Sequence, residues 1–197
     1  MITFHSDINI TEKNDIFAEI NSRYIAAIMM HGQLADYFHF LGLEGYAWLH
    51  EYQHAAESKE RRKLCRYFLT HHGEMIEDHF SGDVKMIPDS WRTAKRLAVG
   101  KSTKQKAVED GFAAYREWEE ETKSVYEKYA GELLKGGNMA DFALVSSIVD
   151  DVSGELKTID CIVLNLISCG YDMSYVVESQ KELKDRYKNR LKGIEVE

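Results

Sequence analysis

Pro88 is the only proline in 197 residues, and nothing else in the sequence constrains the fold as much. Proline breaks or kinks helices and confines the backbone at turns. A chain almost free of it can run in long uninterrupted helices. Apolar residues recur three and four positions apart along most of the length, the spacing of an amphipathic helix. This periodicity predicts five helices, at about 14–40, 44–72, 107–130, 139–168 and 173–190. Gly42 and Gly45 mark a tight turn that makes the first two helices antiparallel neighbours. Gly136-Gly137-Asn138 and Gly170-Tyr171-Asp172 are the later turns, and Gly73 stands where a helix terminator belongs. Between helices two and three the pattern fails over Glu74 to Lys106, a stretch holding Gly82, Pro88, Gly100 and a possible short helix from Trp91 to Leu97. That length is too great for a hairpin loop but enough to cross a bundle from end to end.

The expected architecture is therefore all-α: a four-helix bundle with one long crossover connection and a short fifth helix. The length suits a single domain, residues 1–197. A net charge of −8 argues against general nucleic-acid binding and suits solubility or attraction of cations. Three cysteines, Cys65, Cys161 and Cys169, are an odd number without metal-site spacing, which points to a reducing compartment. No signal peptide is recognised and no apolar run is long enough to span a membrane, so the expected location is the cytoplasm.

The inner stripes carry the functional signal. Helix one presents Phe17, Ile20, Tyr24, Ile28, His31, Ala35 and Phe38. Helix two presents Leu49, His50, Gln53, Ala56, Glu57, Glu60, Leu64, Tyr67 and Phe68, with Glu57 and Glu60 in the middle of the row. Helix three repeats the conflict at Glu119, among Phe112, Tyr115, Thr122, Tyr126, Tyr129 and Leu133. Helix four has Glu155 in line with Phe142, Val145, Ile148, Val149, Val152, Ile159, Ile162, Val163 and Leu166. A carboxylate in a core row costs several kcal/mol unless it is paired or binds a metal. Carboxylate clusters suit iron and manganese, and bundle interiors are a common place for them.

The segment Gly42-Leu43-Glu44-Gly45-Tyr46-Ala47, followed by Glu57 and then His72-Gly73, resembles the turn and second helix of bacterial non-haem ferritins. The similarity extends over most of the chain, although the crossover is longer than usual in that family. It implies iron as the metal, in a diiron centre that manganese or zinc could also occupy. It also implies oxidation or sequestration of Fe(II), with dioxygen or peroxide as electron acceptor, and a homo-oligomer. By the same resemblance Glu57 matches the bridging glutamate, Glu119 the third-helix glutamate and Glu155 a central fourth-helix acid. Where the family has histidine three residues after the bridge, this chain has Glu60. The helix-one glutamate falls on Tyr24, and the position three before Glu155 is Val152, with Asp151 beside it. The candidate metal ligands are thus Glu57, Glu60, Glu119 and Glu155, with Asp151 and His31 as accessories.

Each signal has a plainer reading. Glu57-x-x-Glu60 also occurs on exposed helices, and Glu155 could pair with a buried base. Tyr24 and His31 could be satisfied core groups, while His39, His50 and His54, close to the turn, read as surface or interface residues. Tyr115, Trp118, Tyr126 and Tyr129 read as packing. Gly100-Lys101-Ser102-Thr103 lacks the leading glycine and preceding strand of a phosphate loop, and the basic run Lys95–Lys106 reads as solvated. Two rival functions follow: a metal-free, degenerate ferritin-like bundle acting as a binding or structural protein, and a diiron oxidase of an organic substrate.

Overall fold

Asp15 opens the first helix by accepting a hydrogen bond from the Phe17 N–H at 2.9 Å, one of the four amides that a helix start leaves without intrahelical partners. The computed structural model describes residues 15–78, 84 and 99–195. Among them lie five α-helices: α1 (Ile16–Leu41), α2 (Glu44–His72), α3 (Lys101–Lys135), α4 (Met139–Ser168) and α5 (Met173–Glu195). The expected short helix at Trp91–Leu97 falls outside the described residues. Replacing Asp15 with alanine is expected to cost about 1 kcal/mol, to be read from urea unfolding of the two proteins.

The described residues fall into two compact units: those from 15 to 107 together with 172–195, and those from 108 to 171. In the first, α1 turns into α2 at Gly42, whose φ of 74° lies in the left-handed region that suits glycine. Its amide and that of Leu43 bond back to the His39 and Phe38 carbonyls, closing the α1 end in the glycine-terminated manner. The two helices then pack along their lengths through Phe38 on Tyr46, with ring centroids 5.4 Å apart, and Phe17 on Phe68 at 5.0 Å. At the far end, Asn21 is wholly buried and its Nδ2 donates to Asp78 Oδ1 at 3.1 Å. Arg61 also donates to Asp78, and the Cys65 thiol reaches Asn21 Oδ1 at 3.7 Å. This clasp ties the start of the crossover to α1 and α2. The Asn21 bond first, and Arg61 second, hold the Asp78 carboxyl below the usual range.

The last helix, α5, lies on α2. Its start is capped by Asp172, whose Oδ1 accepts from the amides of Ser174 and Tyr175 at 2.9 and 3.3 Å. Those bonds favour the charged carboxylate and lower its pKa. Where α5 passes the first turn of α2, Gly45 donates its N–H to Gln180 Oε1. Leu43, the residue before α2, offers no capping side chain, so Gln180 supplies across the interface an acceptor that the local sequence lacks.

In the second unit, α3 and α4 form a hairpin through Gly136-Gly137-Asn138, and Arg116 Nε donates to Asp160 Oδ1 at 2.7 Å across it. Every member of the expected α3 stripe is buried: Phe112, Tyr115, Glu119, Thr122, Tyr126, Tyr129 and Leu133. The helix begins at Lys101, about two turns earlier than the apolar pattern indicates, because Lys101 to Lys106 is polar on every side and carries no periodic signal. No helix among the described residues is long and apolar enough to cross a membrane.

Candidate functional site

On α2, Glu57 and Glu60 are half-buried. Glu60 is bonded to its own helix, with Oε1 accepting from Lys63 Nζ at 2.5 Å in an i,i+3 pair. An ion pair in such a partly solvated place contributes little to stability, but it shows the side chain directed toward solvent rather than toward the bundle interior. On α3, Glu119 is only 2% exposed, as the stripe requires. On α4, Glu155 is half-buried and Asp151 is exposed. Tyr24 and Val152, which occupy two positions where the resemblance implies ligands, are 6% and 8% exposed and belong to the apolar core.

His31 is wholly buried, and so is His50, which the sequence reading set at the surface or an interface. The two Nδ1 atoms are 3.0 Å apart and the ring centroids 5.2 Å apart. That centroid separation is close to the nitrogen–nitrogen distance plus the two ring radii, so the imidazoles meet end to end rather than face to face. An N–H···N bond of this kind holds one proton and requires opposite tautomers: one ring donates through Nδ1, the other accepts. Phe38 lies parallel to the His50 ring, 1° between planes and 5.4 Å between centroids. Beside the pair, His54 Nδ1 donates to the Ile28 carbonyl at 2.9 Å. Burial depresses the His50 pKa to about 3. It lowers that of His31 too, with the neighbouring charges of His50 and then His54 acting in the same direction. Both imidazoles are thus neutral at physiological pH. The signal was present in the chain: His31 lies eleven residues before Gly42 and His50 eight after it, each on an inward stripe, and an antiparallel hairpin sets those stripes against each other.

A resident diiron centre needs several donors gathered around each metal. Among the described residues, no three or more His, Cys, Asp or Glu side chains are grouped so as to hold a metal ion.

No family model matches the chain, and no curated protein matches it. Solved structures do. An open-pore ferritin from the hyperthermophilic archaeon Archaeoglobus fulgidus superposes with a TM-score of 0.68 at 18% identity, over 86% of this chain and 92% of that one. A humanized archaeal ferritin gives 0.67 at 18%, over 88% and 98%. An A. fulgidus ferritin engineered to a closed form gives 0.63 at 20%, over 88% and 97%. At such identities the likeness is one of fold. The chain has the all-α ferritin bundle with a short C-terminal helix.

Proposed function

We propose that this protein handles iron, taking up Fe(II) as cargo or substrate through carboxylates of a ferritin-fold bundle. Glu119 carries the reading. It is a carboxylate 2% exposed in a row of aromatic and aliphatic side chains, in a fold shared with ferritins. Such a group has to be paired, protonated or set against a cation, and by resemblance it stands where a third-helix ligand belongs. Glu57, at the position of the bridging glutamate, is the second carboxylate of the proposal. Glu155, Glu60 and Asp151 are subsidiary, and manganese or zinc are the substitutes to compare with iron. Oligomeric assembly belongs to the same reading.

A second reading is favoured by specific observations: a metal-free bundle that serves as a binding or structural protein. Tyr24 and Val152 fill two ligand positions with core side chains. His31 is bonded to His50, and Glu60 is bonded to Lys63.

Elemental analysis after incubation with Fe(II) and gel filtration separates the two. Iron is expected to stay with the protein at or above one ion per chain. Glu57→Ala and Glu119→Gln are each expected to weaken retention by at least about tenfold, the range seen even for groups one step removed from a metal. The rate of aerobic Fe(II) oxidation is expected to fall in the same variants. Protein that elutes free of iron, with variants indistinguishable from it, would leave the metal-free bundle.

A further inference from the structure

Charge is unevenly divided along this chain. Residues 108–171 hold thirteen acidic and five basic side chains, a net −8 that equals the charge of the whole chain, while the remaining residues carry twenty of each sign. Within that balanced remainder, the end of α5 is strongly basic. Arg186, Lys188, Arg190 and Lys192 are all exposed, with no acidic residue among them before Glu195.

Three of these cations are held over rings. Lys188 Nζ lies 5.3 Å from the centroid of Trp48. The Arg190 guanidinium lies 5.9 Å from Tyr52 and 5.6 Å from Tyr187, and that of Arg186 lies 5.6 Å from Tyr187. Tyr52 and Tyr187 are themselves in contact at 5.6 Å. Cation–π contacts at exposed sites are individually weak, but they limit the directions these long side chains sample. Among the described residues, none of the four forms an ion pair. The result is a cationic face flanked by aromatic side chains.

The oppositely charged surface is on the hairpin. Glu117, Glu120, Glu121, Glu127 and Glu132 are exposed on α3, and Asp150 and Asp151 on α4. Arg116, Lys123 and Lys128 offset Glu120, Glu127 and Glu132 locally, which leaves the surplus negative charge in place. Glu117 and Glu121 are like charges four residues apart on the helix, which adds to the acidity of this face.

We infer that the basic end of α5 docks on the acidic α3–α4 hairpin of a second copy of this chain. A polyanion such as nucleic acid would meet the net −8 of the whole molecule, whereas a second copy brings the matching acidic surface itself. The two faces differ, so the contact is heterologous: each copy uses one face and offers the other, and the chain of contacts closes into a ring or shell if the rotation allows. Exposed charges are screened over about 8–10 Å at physiological salt, so the assembly weakens as salt rises. Nothing in this inference depends on iron.

Sedimentation velocity of the full chain in low and high salt tests it with three variants. The first reverses the basic face (Arg186→Glu, Lys188→Glu, Arg190→Glu). The second reverses the acidic face (Glu117→Lys, Glu121→Lys, Asp150→Lys), and the third carries both sets. The parent is expected to form salt-sensitive oligomers, and each single reversal to lower association by at least about tenfold, since like charges then face each other. The doubly reversed chain is expected to assemble again. Circular dichroism confirms that helices persist, and glutamine replacements at the same positions serve if a reversed chain loses them. A monomeric parent, oligomers indifferent to either reversal, or no recovery in the doubly reversed chain would overturn the inference. So would a basic face whose reversal abolishes binding of single-stranded oligonucleotide while leaving assembly intact.

Discussion

Gly45→Ala is expected to lower stability by about 3 kcal/mol or more, the range of severe overpacking, and to loosen α5 from α2. A β-carbon at Gly45 would overlap the Gln180 carbonyl oxygen and stand 2.6 Å from its carbonyl carbon and 2.7 Å from Oε1. Two of these three obstacles are backbone, so no rotamer change relieves the clash and the helices must part. Parting them breaks the bond from the Gly45 amide to Gln180 and uncovers Val176 and Tyr187, both almost wholly buried. Urea unfolding gives the magnitude, and amide exchange along α5 locates it: the helix should lose protection before α1 does. Gly154→Ala is the control. That glycine sits inside α4 with nothing within 4 Å of an added β-carbon, so alanine is expected to stabilise by about 0.5–1 kcal/mol through helix propensity. Equal stabilities for the Gly45 variant and the parent would show that α5 is not seated as described.

The second large effect is on acid stability. His50 has its pKa depressed from 6.5 to about 3 in the folded protein, so folding favours its neutral form. The stability it contributes is complete above the unfolded value near 6.5 and is lost as pH falls toward 3. At pH 5 the loss from His50 alone is about 2 kcal/mol, at 1.36 kcal/mol per pKa unit. His31 is displaced in the same direction and adds to it. The pair also has room for one proton between its Nδ1 atoms, so charging both rings forces them apart. Urea unfolding at pH 7, 6 and 5 should show the parent weakening steeply. The double variant His31→Leu/His50→Leu should lack that part of the slope, leaving only what the carboxylates contribute. Parallel pH profiles for the two proteins would mean that the imidazoles are hydrated or already charged in the native state.

Helix identity was legible from periodicity wherever one face of a helix is apolar. The bounds 44–72 and 139–168 coincide with α2 and α4, and the α3 stripe from Phe112 to Leu133 is buried residue for residue. A 3.6-residue repeat is a local property and needs no knowledge of the partner. The candidate site was less legible. Glu119 proves to be buried because its whole row is, but Glu60 lies close to Lys63 on the same helix, and a one-dimensional stripe cannot tell its centre from its edge.

What the sequence by itself determined is the set of helices, the turn at Gly42 and the presence of acids within apolar rows, because these follow from spacing along one chain. Only the tertiary structure decided that His31 meets His50, that Asn21 receives Asp78, and that Gln180 caps Gly45. Those partners lie 19, 57 and 135 residues apart. Such bonds depend on how helices are juxtaposed, and a buried polar group takes whichever partner packing brings within reach.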